Sequence, residues 1–314
     1  MDGNQNNTFS GAFATNGEQV SEEPRNDGAT RRETTELVRL SERGSSVSLD
    51  GRDEASPERY YLVVPTVVIL GPTGSGKTGV SIEIAKAIGG EIISADSRAI
   101  YKGMNIGTAK PTREEMQGVP HYGLDLVEPG ERFTVADWKK YAEAKINDIK
   151  SRGKVPIIVG GTGLYIDALI YDYQFKGPTG FRIGDFEQKT CSDRKEVKGD
   201  YLIIGIKWST EELRGRLSKR ITQMFDQPLF DETNKLVQEY GQDEIIMKSN
   251  IYEYAWKYLN GELKFSEAKQ LAFYEDWHLA KRQLTWFKRN QDIIWLPLEK
   301  VYPYVINNYN NLPK

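Results

Sequence analysis

The octapeptide GPTGSGKT, Gly71 to Thr78, lies between the apolar run TVVIL and the segment GVSIEIAKAI. It satisfies G-x-x-x-x-G-K-[ST] with Gly71, Gly76, Lys77 and Thr78, in the strand–loop–helix setting that gives the motif its meaning. Few short stretches constrain a fold so tightly. The glycines let successive backbone N–H groups curl around phosphate oxygens, and the N-terminus of the following helix adds positive potential. Residues Gly71, Pro72, Thr73, Gly74, Ser75, Gly76, Lys77 and Thr78 are therefore expected to bind phosphate. Lys77 would neutralise the distal phosphate and Thr78 would offer a hydroxyl to Mg2+. The octapeptide leaves open whether the guest is a nucleoside triphosphate or another pyrophosphate ester.

The segments around it set the architecture. VVPTVVIL reads as a buried strand, and KTGVSIEIAKAI places Val80, Ile84, Ala87 and Ile88 on one helical face, closed by Gly89 and Gly90. EIISA is a second strand, ending at Asp96. FTVADWKKYAEAKINDIKSRG is a helix with Thr134 as N-cap. VPIIV and DYLIIGIKW are further strands, with the helix LYIDALIY between them. STEELRGRLSKRITQMF opens with Ser209 and Glu212 spaced as a capping box. Two or three more helices follow, the last opening at Ser266, and DIIWL is a terminal strand. Apolar strands alternating with helices predict an α/β fold, a P-loop NTPase-like parallel sheet flanked by helices with a helical C-terminal part.

Composition divides the chain. Residues 1–61 are rich in Asn, Gly, Ser, Glu and Arg and poor in large apolar side chains, so they predict a disordered N-terminal extension. It has too many acids for a transit peptide and no apolar core for a secretion signal. Residues 62–314 form the expected phosphate-loop domain. With 42 basic and 45 acidic residues the net charge is -3, so nucleic acid would need a local basic patch. Cys191 is the single cysteine, which excludes an internal disulfide and fits a reducing, cytoplasmic setting. No zinc-ligand spacing and no membrane-length apolar run are present.

Three further features bear on chemistry. Asp96 follows the second strand, and ligands of open α/β sheets sit outside the carboxyl ends of strands. It could bind Mg2+ or accept a proton from a nucleophile, with a helix N-cap as the alternative. VPIIV ends in GGTGLY, Gly160 to Tyr165, where a nucleotide-hydrolysing protein usually carries a carboxylate. Such a loop suits close approach of a bulky ligand, although a plain glycine turn gives the same sequence. Near the end, HLAKRQLTWFKRN interleaves Lys281, Arg282, Lys288 and Arg289 with Trp286 and Phe287. That pattern suits phosphate contacts and base stacking, and equally a basic helix packed on the core by its aromatics.

GPTGSGKT, SADSRAIYKGMNIGTAKP, VPHYGLDLVEP, VPIIVGGTGLY and LAKRQLTWFKRN, in this order, resemble the tRNA dimethylallyltransferases (tRNA isopentenyltransferases). The likeness runs from about Val67 to Tyr171 and resumes from about Tyr201 to Leu296. It implies a prenyltransferase that moves a dimethylallyl group from its diphosphate to N6 of adenosine 37 in the tRNA anticodon loop. On this resemblance Lys77 and Arg216 stabilise the diphosphate leaving group, with Mg2+ on Thr78. Asp96 is the general base on the adenine amine. Asp96, Ser97, Arg98, Ala99, Thr162, Lys281, Arg282 and Gln283 face the tRNA. Arg220 lies one turn from Arg216, and both could equally occupy a solvated helix face. His121 is expected to be structural, and the protein to be a cytoplasmic monomer.

The resemblance breaks in places. The family's helical insertion has no counterpart in residues 172–200, which read as a short irregular loop. Asp276 and Trp277 stand where a Thr-Arg pair is usual, and IYEY, Ile251 to Tyr254, replaces GYKE. Alternative functions are an adenylate isopentenyltransferase, a non-catalytic relic that binds RNA or a diphosphate, and a small-molecule P-loop kinase that binds ATP.

Overall fold

The apolar run before the phosphate loop becomes β1 (Thr66–Leu70), every residue of it buried. In this computed structural model, which describes residues 65–175, 197–248 and 250–311, β1 lies inside a six-stranded sheet. The other strands are β2 (Gly90–Ala95), β3 (His121–Tyr122), β4 (Val155–Gly160), β5 (Tyr201–Lys207) and β6 (Ile294–Pro297). Their order is β3-β2-β4-β1-β5-β6, and every pair is parallel. Val68 sits opposite Ile158 on one side and Ile203 on the other.

Because side chains alternate across a strand, each strand feeds two cores. Val68, Leu70, Ile93 and Ile158 face α3 (Val135–Ser151) and α4 (Gly163–Ile170), packing on Trp138 and Ile166. Val67, Ile69, Ile92 and Ile157 face α1 (Lys77–Ile88) and α10 (Leu298–Asn310). The expected parallel sheet covered on both faces is therefore present.

A third core belongs to the helical part. α5 (Thr210–Asp226), α6 (Leu229–Tyr240), α7 (Glu244–Met247), α8 (Asn250–Leu259) and α9 (Phe265–Phe287) enclose Ile221, Phe225, Leu236, Tyr252 and Ala272. They also receive Ile100, Tyr101 and Met104 from the segment after β2. A single turn, α2 (Arg113–Met116), precedes β3.

The helix starts follow their caps. Thr134 accepts from Asp137 N and Ser209 from Glu212 N, each within a reciprocal capping box. In α1, Gly89 ends the helix with φ 65°, whereas Gly90 already belongs to β2. Ala87 is exposed and Ala85 takes its expected place in the core. Four helices follow α5 before the last strand, where two or three were expected. α10 was not foreseen, since Pro303 inside it and Pro297 before it argue against a helix. It forms because Val301 and Val305 complete the apolar face beside α1.

All described residues belong to the unit Tyr60–Lys314. The extension 1–61 lies outside the described residues, as does 176–196 of the 172–200 segment. At the near end of that segment Lys139 Nζ donates to Asp172 Oδ1 at 2.7 Å. Among the described residues no helix is long and apolar enough to cross a membrane.

Candidate active site

The phosphate loop turns back between β1 and α1, and Gly76, the N-cap of α1, has φ 89°. A β-carbon there would be strained by that conformation and would meet Arg216 Nη2 at 3.1 Å. Lys77 Nζ folds over the loop, donating to Gly71 O at 3.0 Å and Pro72 O at 2.7 Å. Burial pushes this ammonium down to about 8. The charge of Asp96 opposes the fall and that of Arg220 adds to it. Gly71 and Pro72, expected to bind phosphate, are buried and do not line the cleft. Their carbonyls hold the lysine instead.

Thr73 to Thr78 open on a cleft of about 740 Å³ shared with Asp96, Ser97, Arg98, Thr162, Arg216 and Arg220. Seven basic side chains line it (Lys77, Arg98, Arg216, Lys219, Arg220, Lys248 and Arg282) against the two carboxylates Asp96 and Asp276. The site therefore favours anions although the chain as a whole is slightly acidic.

α5 brings two arginines to the loop. Arg216 Nε donates to Gly74 O at 2.7 Å, and its guanidinium lies 4.5 Å from the centre of the Trp208 ring. Trp208 Nε1 in turn donates to Ser75 O at 3.0 Å. Arg220 Nη1 donates to Thr73 Oγ1 at 2.8 Å and pairs with the buried Asp276 carboxylate. Neither arginine occupies a solvated face. Asp276, a departure from the resembled pattern, thus has a definite partner.

At the carboxyl end of β2, Asp96 Oδ1 accepts from Arg98 N at 2.8 Å and Ala99 N at 3.3 Å. The residue lines the cleft as expected; no helix follows it before Arg113, so the N-cap alternative is not realised and Oδ1 organises a turn instead. Ser97 N donates to Thr162 Oγ1 at 3.0 Å, which ties the turn to the loop after β4. Arg98 donates to the carbonyls of Ile245 and Lys248, so its guanidinium anchors the end of α7. Ala99 is buried and does not line the cleft, which removes it from the expected contact surface.

The glycine-rich loop after β4 serves packing. A β-carbon on Gly160 would lie 2.1 Å from Ala95 O, one on Gly161 2.5 Å from Gln283 Nε2, and one on Gly163 2.2 Å from Trp286 Cδ1. The loop packs closely on β2 and α9, and its Gly161 and Thr162 still line the cleft, so the expected approach to a ligand remains open there. Trp286 Nε1 donates to Asp167 Oδ2 at 2.9 Å and Phe287 is buried, so these aromatics fasten α9 to the core. Gln283 Oε1 accepts from Thr73 N at 2.8 Å, bracing the phosphate loop. Arg282 and Gln283 line the cleft; Lys281 does not, lying 5.8 Å from the Trp277 ring centre. His121 is structural as expected: it pairs with Ile92 in the sheet and its Nδ1 contacts Val119 O at 2.8 Å.

Thr78 is exposed and lines the cleft. Among the described residues no three His, Cys, Asp or Glu side chains gather as a metal site. A hydroxyl completed by ligand phosphate oxygens and water is an oxygen set that suits Mg2+.

Comparison with known proteins gives consistent results. The family model for IPP transferase matches residues 99–182 and 177–290. A tRNA dimethylallyltransferase of Staphylococcus haemolyticus is 39% identical over 289 residues, covering 74% of this chain and 86% of the relative. Among solved structures, the tRNA delta(2)-isopentenylpyrophosphate transferase of Staphylococcus epidermidis superposes with TM-score 0.67 and 34% identity. It covers 78% of this chain and 99% of its own. The full-length tRNA isopentenylpyrophosphate transferase of Bacillus halodurans gives TM-score 0.68 at 28% identity, covering 79% and 97%.

Proposed function

The chain belongs to the IPP transferase family, and on that premise we propose that it transfers a dimethylallyl group from dimethylallyl diphosphate to N6 of adenosine 37 in the tRNA anticodon loop. The observation that carries the proposal is the shared cleft, with the phosphate loop on one side and Asp96 on the other. A small-molecule kinase can share that pairing of phosphate loop and carboxylate, and family membership separates the two. A prenyl transfer to an amine needs a cradle for the leaving diphosphate and a base for the amine proton, opening on one space.

In the reaction the N6 nitrogen forms a bond to C1 of the dimethylallyl group while the C1–O bond to diphosphate breaks. Negative charge grows on the departing oxygens, and Lys77, Arg216 and Arg220, which line the cleft beside the loop, would stabilise it. The amine proton passes to Asp96, whose Oδ1 is held by two backbone N–H groups and whose Oδ2 takes no hydrogen bond among the described residues. Thr78 would hold Mg2+ with the diphosphate; when bound, the ion supplies charge neutralisation to the leaving group. An adenine in a loop can be flipped into such a cleft at a cost of a few kcal/mol, and one inside a stem at more. We place the protein in the cytoplasm as a monomer.

We further propose that residues 172–200 replace the family's helical insertion. Two observations support this: the family match breaks into two segments at 177–182, and 74% of 314 residues falls well short of the 289 aligned positions. A shortened grip on the anticodon stem favours weaker tRNA binding. The test is incubation of labelled dimethylallyl diphosphate with tRNA, AMP and ATP as separate acceptors. Label in tRNA alone supports the proposal. Label in AMP or ATP alone would move the function to free nucleotides, and no transfer to any acceptor would refute a prenyltransferase.

A further inference from the structure

One carboxylate outside the site described so far gathers an unusual set of donors. Glu232, in the first turn of α6, accepts at Oε1 from the backbone N–H of Asn105 at 3.2 Å, Ile106 at 2.8 Å and Gly107 at 3.4 Å. Tyr252 of α8 donates its hydroxyl to the same oxygen at 2.6 Å, and Gly107 N also donates to that hydroxyl at 3.2 Å. Three consecutive amides pointing at one oxygen form an anion nest, here filled by a side chain of the protein itself.

The turn held in this way runs directly into the cleft. Gly107, Thr108 and Ala109 line it, beyond the Asp96–Arg98 turn from which this segment leaves the sheet. Two features show that its conformation is imposed. Ala109 has φ 53°, which costs a residue with a β-carbon about 1–2 kcal/mol and persists only where surroundings dictate it. Gly107 lies flat on the buried Tyr252 ring: a β-carbon there would come within 2.5 Å of Tyr252 Cζ. Tyr252 contributes both a surface and a hydroxyl, and Glu232 contributes the charge that strengthens all four bonds.

We propose that Glu232 and Tyr252 are positioning residues for the acceptor side of the cleft. They fix the 105–109 turn so that its wall stands against the incoming adenosine, without touching either substrate. The inference rests on the transferase reading above, and it assigns the helical part a share in acceptor placement that the phosphate loop does not have. The phosphate loop is braced independently by Gln283, Arg216 and Arg220.

The variants are Glu232→Gln, which keeps an acceptor but removes the charge, and Tyr252→Phe, which keeps the ring on Gly107 but removes the hydroxyl. Three readouts separate positioning from general damage. Transfer to tRNA, as kcat/KM for tRNA, should fall roughly tenfold to a hundredfold in each, the scale of weakening the charge-assisted hydrogen bonds that hold the wall in place. Affinity for inorganic pyrophosphate, titrated directly, should stay within about twofold, since one or two distant hydrogen bonds do not reach the loop. Amide hydrogen exchange should accelerate at Asn105, Ile106 and Gly107 and not at Thr73 to Thr78. Unchanged kcat/KM in both variants would overturn the inference, and so would a loss of pyrophosphate affinity matching the loss of transfer. Exchange reports on the clamp even if the wild-type protein modifies no tRNA. Faster exchange with no wild-type transfer would therefore sink the transferase reading and the catalytic part of this inference, leaving only the clamp. Unchanged exchange beside normal wild-type transfer would sink the clamp alone.

Discussion

Replacing Asp96 by Asn separates its two jobs. Asparagine retains an Oδ1 acceptor for Arg98 N and Ala99 N, so the turn at the end of β2 should keep its shape. What disappears is the negative charge and the capacity to take a proton. Losing a positioned base costs about 10²–10⁴-fold in rate, or about 3–5 kcal/mol at roughly 1.4 kcal/mol per decade. The diphosphate side should feel a smaller effect. The Asp96 charge supports the Lys77 ammonium against burial, so without it the lysine titrates lower still and binds anions somewhat less well near neutral pH. The assay pairs single-turnover transfer to tRNA with a pyrophosphate titration and a thermal melt. The account requires a large loss of transfer, a binding change of no more than about tenfold (~1.4 kcal/mol), and a melt close to wild type. Asp96→Ala, which also removes the acceptor for the two turn N–H groups, should lose about a further 1 kcal/mol of stability. Transfer by Asp96→Asn close to the wild-type rate would refute the base. Pyrophosphate binding abolished along with transfer would assign Asp96 to the loop or its metal instead.

Other expectations follow from the same contacts. Lys77 should lose its charge as pH rises through about 8, so pyrophosphate affinity of the free protein should decline above that pH in a binding titration. Its folded pKa lies below the ordinary 10.5, so the unfolded chain binds more protons between about 8 and 10.5. This group alone therefore makes stability rise with pH across that window, and Lys77→Met should flatten the rise. Asp276→Ala leaves Arg220 without its buried partner. It should cost about 3 kcal/mol in chemical denaturation, at the low end of the usual ~3–5 because Arg220 is partly exposed. Gly163→Ala drives a β-carbon into the Trp286 ring and should cost about 1–3 kcal/mol, read as a lower melting temperature.

What the sequence disclosed, and what it withheld, divides along the range of the interactions. The phosphate loop, the Ser209 capping box, the Thr134 cap and the helix Lys77–Ile88 depend on contacts within a few residues, and all were legible. Ala87 was misplaced because the buried arc of the helix is centred on Ser81, Ala85 and Ile88, and Ala87 lies just beyond its edge. The roles of Gly161, Gly163, Gln283 and Trp286 were not legible, because each glycine's space is filled by a residue more than a hundred positions away. The sequence left the basic, aromatic segment open between a nucleic-acid surface and core packing; its aromatics take the second role, while Arg282 and Gln283 line the cleft. α10 was hidden by two prolines, whose local cost is outweighed by the sheet face that Val301 and Val305 cover. β3 is only two residues long, too short for any periodicity. The Arg220–Asp276 pair and the Glu232 nest join elements far apart in the chain, and no local pattern announces them.

The central claim is that one cleft holds a prenyl diphosphate and presents an anticodon-loop adenine to Asp96. Its most direct test is to incubate an unmodified tRNA transcript with dimethylallyl diphosphate, digest it, and locate the added mass by chromatography and mass spectrometry. The account predicts a dimethylallyl group on N6 of adenosine 37, and none when that position is guanosine. A modified nucleoside elsewhere in the tRNA, or an unmodified tRNA beside a prenylated free nucleotide, would contradict it.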